Sequence, residues 1–277
     1  MHHNRRVLSL NAADGRLCVT TASRTSAGRV RDHNEDSLLD VDGVYVIADG
    51  MGGHAAGDVA SALAIETLAK LATAFPLTSA QLVEAVRTAN SRIVEDAVQN
   101  TERSGMGTTC VGLVATTFSG LAHWLGFNVG DSRLYELTPA AIRRLSVDHS
   151  EVQELIDAGR IQPEEAFTHP LRHVVTRSLG TEPCPPVDVW MFPAVSGITF
   201  LLCSDGLTDE LTEDAVHRIF LASTDLDDLA RGLVAAAEDA GGHDNVSVVL
   251  VRVDAESEQL HSDEADTNPR IQLTPTS

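Results

Sequence analysis

Residues 37–53 of the chain read SLLDVDGVYVIADGMGG, and this stretch carries the clearest secondary-structure signal in the sequence. Two short apolar runs, Ser37 to Val41 and Val44 to Ala48, are joined at Asp42-Gly43, a pair suited to the positive φ angles of a two-residue hairpin turn. The second run ends at Asp49-Gly50. The stretch therefore predicts a β-hairpin whose second strand delivers the Asp49 carboxylate to an edge of the sheet.

Short segments that place an aspartate beside glycine or asparagine recur along the chain. They are RDHNED (Arg31 to Asp36), DGMGG (Asp49 to Gly53), GDSR (Gly130 to Arg133), SDGL (Ser204 to Leu207) and HDN (His243 to Asn245). Several carboxylates at the mouths of tight turns, in a chain with a single lysine, are typical of a site for a pair of hard divalent cations. These segments predict a metal site.

The rest of the chain alternates runs of strands with pairs of helices. Apolar periodicity predicts helices at 56–75, from 78 to about 98, near 151–158, at 212–221 and at 225–240. Strands are predicted at 16–22, 110–115, 121–127, 133–137, 187–191, 198–203 and 246–253, and the three between 110 and 137 are expected to form an antiparallel meander. This order indicates an α+β layered domain rather than alternating βαβ units.

Composition limits the partners and the compartment. The net charge of −20 argues against nucleic acid or an anionic membrane surface, because both require a basic footprint. No apolar run approaches the roughly 18 to 20 residues of a membrane span, and the N-terminus lacks a signal-peptide core, which predicts a soluble, cytoplasmic protein. Cys18, Cys110, Cys184 and Cys203 show no CxxC spacing and are expected to be reduced, packed thiols.

Eight motifs occur in register between about Thr21 and Val253. They are RVRDHNEDS (29–37), VIADGMGGHAAGDVAS (46–61), GTT (107–109), NVGDSRLY (128–135), DHS (148–150), TRSLG (176–180), LLCSDGLTD (201–209) and GGHDNVSVVLV (241–251). In order and wording they resemble the type 2C, metal-dependent serine/threonine protein phosphatases in their bacterial single-domain form. The resemblance implies a four-layer α-β-β-α sandwich with two central antiparallel sheets flanked by helix pairs.

The resemblance also implies an activity and its partners. A metal-bound hydroxide would hydrolyse phosphoserine and phosphothreonine esters without a covalent enzyme intermediate. The cofactors would be Mg²⁺ or Mn²⁺, two ions bound tightly and a third weakly. The substrates would be phosphorylated proteins, including bacterial Ser/Thr kinases and the proteins that those kinases modify, and the enzyme is expected to act as a monomer.

The domain boundaries follow from the composition of the segments outside the motifs. Residues 1–16 are expected to be a flexible leader, and residues 17–254 the phosphatase domain, with a proline-rich surface flap at about 146–186. Residues 255–277 are acidic and lack an apolar period, which predicts a disordered tail.

The first group of expected site residues forms the binuclear centre. Asp49, at the end of a strand, is expected to bridge the two ions and is counted as catalytic, and Gly50 would offer its backbone carbonyl to one of them. The resemblance implies Asp205 and Asp244 as ligands of one ion. It implies Glu35 as a ligand of the other ion, either directly or through water.

The second group lies around that centre. The resemblance implies that Asp36 accepts from water near the ions and that Arg31 is a catalytic residue that binds phosphate, which a guanidinium can grip with two parallel hydrogen bonds. Asp131 would help to bind the third ion, and Thr168 falls where some relatives place a serine near that ion.

The histidines depart from the pattern of the family. Eukaryotic relatives carry a histidine two residues after the bridging aspartate, but here that residue is Met51, and the nearest histidine is His54. His54 either protonates the leaving alcohol or lies on the surface near a helix start. His169 and His173 have i, i+4 spacing, but Pro170 between them disfavours a helix and no third ligand is evident, so a zinc site is not expected.

Two rival interpretations are weaker. Residues 40–44, DVDGV, fit the nucleophile motif of haloacid-dehalogenase-type phosphatases, but those enzymes also anchor phosphate with a lysine, and Lys70 lies in the middle of a predicted amphipathic helix. A hairpin explains the motif better. A catalytically inactive relative that serves as a binding module would typically have lost metal ligands, whereas the expected ligands of the binuclear centre are all present. An active enzyme is therefore predicted.

Overall fold

The computed structural model describes residues 4–9, 16–52, 56–74 and 76–254. The strands are β1 Asn4–Ser9, β2 Arg16–Ser26, β3 Asp36–Val41, β4 Val44–Met51, β5 Gly107–Thr108, β6 Cys110–Phe118, β7 Leu121–Val129, β8 Arg133–Leu137, β9 Ile142–Arg144, β10 Asp188–Pro193, β11 Thr199–Cys203 and β12 Val246–Val253. The helices are α1 Gly57–Leu68, α2 Ser79–Gln99, α3 Glu151–Asp157, α4 Pro163–Ala166, α5 Asp205–Thr208, α6 Glu213–Ala222 and α7 Leu226–Ala240.

The strands form two antiparallel sheets. The first sheet has the order β1-β2-β12-β11-β8-β9, and the second has the order β10-β7-β6-β4-β3, with the short β5 paired to β4. Every strand pair in the two sheets is antiparallel. The antiparallel character predicted from the sequence is confirmed.

Three apolar clusters hold the layers together. Between the sheets, buried side chains from both faces meet, among them Tyr45, Trp124 and Phe200. Helices α1 and α2 cover the second sheet through a cluster that includes Leu82, and helices α6 and α7 cover the first sheet through a cluster that includes Leu233. This order of helix pair, sheet, sheet and helix pair confirms the expected four-layer sandwich.

The hairpin forms where the sequence predicts it. Strands β3 and β4 pair with Val41 opposite Val44, and Gly43 in the turn has a φ of +78°. Along β4 the side chains from Val44 to Ala48 are fully buried, because both faces of this central strand are covered. The register of the pair places Asp36 directly opposite Asp49, so the two carboxylates leave the same end of the sandwich.

The expected three-stranded meander is wrong, because the GDSR turn leads from one sheet into the other. Strands β6 and β7 pair as a hairpin, but β8 lies in the other sheet, between β11 and β9. The turn from Gly130 to Ser132 therefore carries the chain from one sheet to the other, and Asp131 lies at this crossing. The sequence pattern did not distinguish a strand that continues a sheet from one that changes sheets, because pairing with a remote strand decides it.

Other segments differ from expectation or lie outside the described residues. Residues 4–9 of the expected flexible leader form β1, which pairs along its whole length with β2, and Leu8 is buried. The expected tail, residues 255–277, lies outside the described residues. Among the helices that the structure describes, none has both the length and the apolar character that crossing a membrane requires.

The segment expected to be a flap, residues 146–186, carries the short helices α3 and α4 and is joined to the body of the protein near both ends. The N–H of His149 donates to the carbonyl of Gly130, and Leu179 pairs with Thr108 as an isolated antiparallel bridge. A second bridge, between Ser150 and Val175, lies within the segment. Exposed apolar side chains occur on this segment, at Val147, Phe167, Leu171 and Val174. The segment is thus anchored at both ends and reaches over one end of the sandwich.

Candidate metal centre

The carboxylates predicted to bind metal converge at one end of the sandwich. Asp49 lies near the end of β4, Asp205 follows β11, and Asp244 lies two residues before β12, while Asp131 lies in the turn that crosses between the sheets. These side chains line an open cavity of about 670 Å³, which is called the catalytic cavity below. Its lining includes Arg31, Glu35, Asp49, Gly50, Asp131, Asp205 and Asp244.

The carboxylates destabilise one another as anions. Burial raises the pKa of Asp49 well above its ordinary value, and the charges of Asp36, Asp205 and Asp131 raise it further. Burial likewise raises the pKa of Asp131 to about 7, with the charge of Asp148 adding to it. Such mutual repulsion is relieved by a cation placed among the carboxylates, because the cation favours their charged forms.

Two orphaned oxygen atoms indicate where cations fit. Among the described residues, Oδ1 of Asp36 and Oδ1 of Asp205 are buried and have no hydrogen-bond partner. A buried carboxylate oxygen without a partner is unfavourable, and a divalent cation or its water satisfies it. The donor set consists of carboxylate and carbonyl oxygens, which Mg²⁺ and Mn²⁺ prefer, so the residues present fit these ions.

Asp36 is held beside the cavity rather than in its lining. Oγ of Ser204 donates to Oδ2 of Asp36 over 2.8 Å, and the backbone N–H of Ser247 donates to that same hydroxyl oxygen over 2.9 Å. Burial raises the pKa of Asp36 to about 6, against the lowering effect of hydroxyl hydrogen bonds. One oxygen of Asp36, on the second sheet, is thus fixed by residues at the ends of β11 and β12 of the first sheet, while Oδ1 has no hydrogen-bond partner.

Gly50 is a glycine for a packing reason as well. A Cβ at this position would overlap the backbone carbonyl oxygens of Gly57 and Glu35, so the end of β4 and the start of α1 touch backbone to backbone. The N–H of Gly50 donates to the carbonyl of Glu35 over 3.2 Å. The missing side chain therefore leaves space beside the Gly50 carbonyl, as predicted from the sequence, and a side chain here would also push α1 away.

Arg31 lies at the mouth of the catalytic cavity. Its NH2 group is 2.7 Å from Oδ2 of Asp244, and its side chain is 54% exposed. The Asp244 carboxylate raises the pKa of Arg31, which therefore keeps its positive charge. A half-exposed guanidinium beside the carboxylates is well placed to receive an anion that enters from solvent.

The motif asparagine Asn245 joins the loops that carry the site. Its Oδ1 accepts from the N–H of Glu35 over 2.8 Å, and its Nδ2 donates to the carbonyls of Ala27 and His33 over 3.1 and 2.9 Å. Because the residue before it is Asp244, this side chain fixes the loop containing Arg31 and Glu35 relative to Asp244. This role of the asparagine in the HDN motif was not predicted from the sequence.

The GTT motif fixes the backbone of Asp49. Oγ1 of Thr109 accepts from the N–H of Asp49 over 3.0 Å, and the carbonyl of Asp49 accepts from the Thr109 N–H and from Oγ1 of Thr108, each over 2.9 Å. The Thr109 hydroxyl is also 2.8 Å from that of Ser132, next to Asp131. One threonine thus links the end of β4 to the turn between the sheets.

The DHS motif supports the same turn from the flap side. His149 is buried, and its Nδ1 accepts from the N–H of Gly130 over 3.0 Å, while the His149 N–H donates to the carbonyl of Gly130 over 2.9 Å. Nε2 of His149 lies 3.2 Å from a carboxylate oxygen of Asp188. Since Nδ1 accepts, Nε2 carries the proton and donates to Asp188. This chain of contacts holds Asp131 in place.

Some residues of the cavity were missed from the sequence. Asp209 lies four residues after Asp205, at the end of α5, and Nδ1 of His173 is 3.1 Å from Oδ2 of Asp209. Ligand atoms of His173, Asp205 and Asp209 lie within 4.8 Å of one another. The i, i+4 spacing of the two aspartates in LLCSDGLTD was a usable signal. The approach of His173 to Asp209 had no such signal, because it depends on how the flap packs against the rest of the protein. No partner for this histidine was predicted from the sequence.

Two weaker expectations have a different outcome. Thr168 does not line the catalytic cavity; it is exposed on the flap, where its hydroxyl lies 3.5 Å from the carbonyl of Glu165. His54 lies outside the described residues. Met51, which takes the place of the eukaryotic histidine, does line the cavity.

The chain is similar in sequence to known proteins. The profile of the family described as protein phosphatase 2C matches residues 25–235. A serine/threonine phosphatase, stp, of Listeria monocytogenes serovar 1/2a is 38% identical to the chain over 244 residues, which cover 83% of this chain and 94% of the relative.

Solved structures are similar to the whole sandwich. The crystal structure of the Mycobacterium tuberculosis serine/threonine phosphatase PstP/Ppp superimposes with a TM-score of 0.80 at 38% identity, covering 86% of this chain and 99% of the other. The catalytic domain of the serine/threonine protein phosphatase PstP in complex with two manganese ions gives a TM-score of 0.78 at 36% identity, covering 86% and 100% of the two chains.

Proposed function

The chain belongs to the protein phosphatase 2C family and is a metal-dependent protein serine/threonine phosphatase, and we propose that its catalytic cavity holds two divalent cations beside a phosphate-binding Arg31. The observation that carries the proposal is the convergence of buried carboxylates at one end of the sandwich, with two carboxylate oxygens that have no protein partner in the described residues. The two manganese ions of the related PstP catalytic domain support it.

The ligands that we propose come from four strand ends. Asp49 would contact both ions, Gly50 would contribute its carbonyl, and Glu35 would lie on the same side. Asp205 and Asp244 would hold the other ion. Bound Mg²⁺ or Mn²⁺ supplies two kinds of chemistry, a lower pKa for coordinated water and positive charge against the phosphoryl oxygens.

Besides the metal ions, Arg31 is the proposed contact for the phosphate group. Its guanidinium lies at the mouth of a cavity whose other charged side chains are largely carboxylates. A phosphate monoester would be repelled by these carboxylates, and a bidentate arginine contact both offsets this repulsion and orients the phosphorus for in-line attack. Asp36, fixed by Ser204, would accept a hydrogen bond from water at the centre.

The lining supports a mechanism without a covalent enzyme intermediate. Within the described part of the chain, no serine or cysteine lines the catalytic cavity. The hydroxyl of Thr109 is engaged with Asp49 and Ser132 and is not activated by a base. Direct attack by water on phosphorus is therefore the step that these side chains favour. Inversion of configuration at phosphorus with a chiral substrate would support it, and retention would contradict it.

A third, weakly held ion at Asp131 is the next part of the proposal. Asp131 is buried, and its charge raises the pKa of both Asp205 and Asp49. Unlike Asp49, which lies in β4, Asp131 lies in the turn that crosses between the two sheets. Such a position is suited to an ion that keeps most of its waters.

The biological setting is proposed from the family and from the chain. Phosphorylated proteins, including Ser/Thr kinases and their substrates, are the proposed partners. The cytoplasm is the proposed location, supported by four cysteines that are all unpaired. A monomer is the proposed working state.

The direct test is the release of phosphate from matched peptides that carry phosphothreonine, phosphoserine or phosphotyrosine, with Mn²⁺ present. The proposal predicts turnover of the first two and loss of turnover on chelation. A protein that binds the phosphopeptides in the presence of Mn²⁺ but releases no phosphate would be a binding module, and the proposed function would be wrong.

A further inference from the structure

A second cavity adjoins the catalytic cavity beneath the flap. It has a volume of about 440 Å³ and is called the flap cavity below. The two cavities share part of their walls, namely Asp131, Arg172, Asp205 and Asp209. A polypeptide whose phosphorylated residue occupies the catalytic cavity therefore passes the flap cavity within a few residues, since an extended chain advances about 3.3 to 3.6 Å per residue.

One wall of the flap cavity is apolar. It is formed by side chains of α3, of α4 and of the residues around them, Val152, Ile156, Pro163, Ala166 and Phe167. Phe167 is 54% exposed, so its ring is available to a molecule in the cavity. An apolar wall with an aromatic face suits the aliphatic stem of a long side chain and the charge at its end.

The lining also carries negative charge. Glu213, the first residue of α6, is exposed and has no ion pair in the described ranges of the chain, while Asp209 is paired with His173. Arg133 and Arg144, which line the same cavity, both contact Asp148, at 2.7 and 3.2 Å, so these guanidinium groups are already engaged.

Among the described residues that line the flap cavity, Arg172 is the only arginine or lysine that also lines the catalytic cavity. It lies in the wall shared with the catalytic cavity, where an incoming phosphoryl group brings negative charge. The Glu213 end of the flap cavity is therefore free to accept a cation. The net charge of −20 on the whole chain adds a long-range attraction for a basic segment.

We propose that the flap cavity is a substrate subsite for an arginine or lysine side chain close to the phosphorylated residue, with its stem on Phe167 and its charge beside Glu213. This subsite rests on the proposed phosphatase function and adds a preference among phosphoproteins. Segments with a basic residue at one fixed distance from the phosphothreonine are the preferred substrates.

The test uses a set of phosphothreonine peptides in which one arginine is moved from three residues before the phosphothreonine to three residues after it. Each peptide is paired with the same peptide carrying leucine at that position. For the unaltered enzyme with saturating Mn²⁺, kcat/KM should favour arginine about fivefold at one position, the effect expected of a partly exposed charge and ring contact.

Two variants should remove this ratio and two matched controls should keep it. Glu213→Gln and Phe167→Ala are expected to bring the ratio of arginine to leucine peptides close to one. Asp214→Asn changes the neighbouring exposed carboxylate, which lines neither cavity. Phe118→Ala removes a phenyl ring that is 56% exposed, on the distant turn between β6 and β7. The ratio is measured within each variant, so a general loss of turnover does not alter it.

Three results would overturn the subsite. One is a ratio near one at every position in the unaltered enzyme, and another is a ratio that survives Glu213→Gln. The third is a preference for leucine that disappears with Phe167→Ala alone, which would show that the cavity binds an apolar side chain and not a basic one. Failure to hydrolyse any of these peptides is a different result, because it contradicts the proposed function itself.

Discussion

At the scale of single residues, the site depends on side chains that fix a backbone as much as on the carboxylates themselves. The N–H of Asp49 donates to Thr109, and the N–H of Glu35 donates to Asn245, so these two proposed ligands are positioned by hydrogen bonds to other motifs. This explains why motifs without a carboxylate, such as GTT, accompany those that have one. Ligand geometry in such a site is set by these supporting contacts.

Replacement of Arg31 by alanine should weaken substrate binding more than turnover. A charge-assisted hydrogen bond contributes about 1.5 to 3 kcal/mol, so KM for a phosphopeptide should rise roughly tenfold or more if the contact forms already in the ground state. Inorganic phosphate should inhibit the variant less. The matched control is Arg29→Ala, which removes an exposed arginine paired with Asp239. Equal KM values for the two variants would make Arg31 an ordinary surface residue.

Replacement of Asp131 by alanine should separate the third ion from the other two. The variant should keep two tightly bound ions and lose turnover roughly tenfold or more, because a supporting ligand is removed while Asp49, Asp205 and Asp244 remain. Calorimetric titration with Mn²⁺ beside peptide kinetics measures both quantities. Full activity would reduce Asp131 to a turn residue, and loss of all metal would make it a ligand of the main centre.

At the scale of secondary-structure elements, local signals were sufficient for the hairpin but not for the crossing between sheets. The Asp42-Gly43 turn was predicted from neighbouring residues, and the cap of α2 is equally local, since the hydroxyl of Thr78 accepts from the N–H of Gln81. The pairing of β8 with β11, and the approach of His173 to Asp209, join residues remote in sequence. No pattern within a short window encodes these contacts, which is why they were missed.

The crossing turn gives a prediction at this scale. Gly130 has a φ of +115°, and a Cβ there would lie 2.6 Å from Cβ of Thr109, whereas Gly197 has a φ of +89° and open space around it. Both changes to alanine force a left-handed backbone, which costs about 1 to 2 kcal/mol. Gly130→Ala should lower the free energy of unfolding by at least about 2 kcal/mol more, because it also displaces a packed side chain.

The two glycine variants are compared by urea unfolding and by turnover. Gly197→Ala should keep its activity, since it lies far from the cavity, while Gly130→Ala should lose activity because Thr109 and Asp131 move. Equal losses of stability and activity in both variants would show that the turn does not hold the centre.

At the scale of the whole molecule, two sheets pack face to face around a shared apolar cluster, and the loops that carry the site meet at one end. The four-layer fold and the convergence of Asp49, Asp205 and Asp244 could be predicted because the order of the motifs resembles a known family, and the apolar runs beside these aspartates place each at a strand end. The charge of the chain, −20, then surrounds an anion-binding cavity with negative potential. The enzyme has to overcome this repulsion at a distance as well as within the cavity.

This repulsion should appear as a dependence on salt. The screening length falls from about 30 Å at 0.01 M to about 8 Å at 0.15 M ionic strength. At saturating Mn²⁺, kcat/KM for a phosphopeptide with acidic flanks should rise over this range, and that for a peptide with basic flanks should fall. Stopped-flow or steady-state kinetics with the two peptides measures the effect. The same response from both peptides would show that the net charge of the chain does not steer its substrates.

The central claim is that the converging carboxylates hold the two catalytic ions, and calorimetric counting of bound Mn²⁺ tests it most directly. The account predicts two tight sites in the unaltered protein, and loss of tight binding together with nearly all turnover in Asp49→Asn and in Asp205→Asn. Both variants should keep a cooperative thermal transition, because each carboxylate lies at a strand end outside the apolar clusters. Two tight ions and unchanged turnover of p-nitrophenyl phosphate in either folded variant would contradict the account.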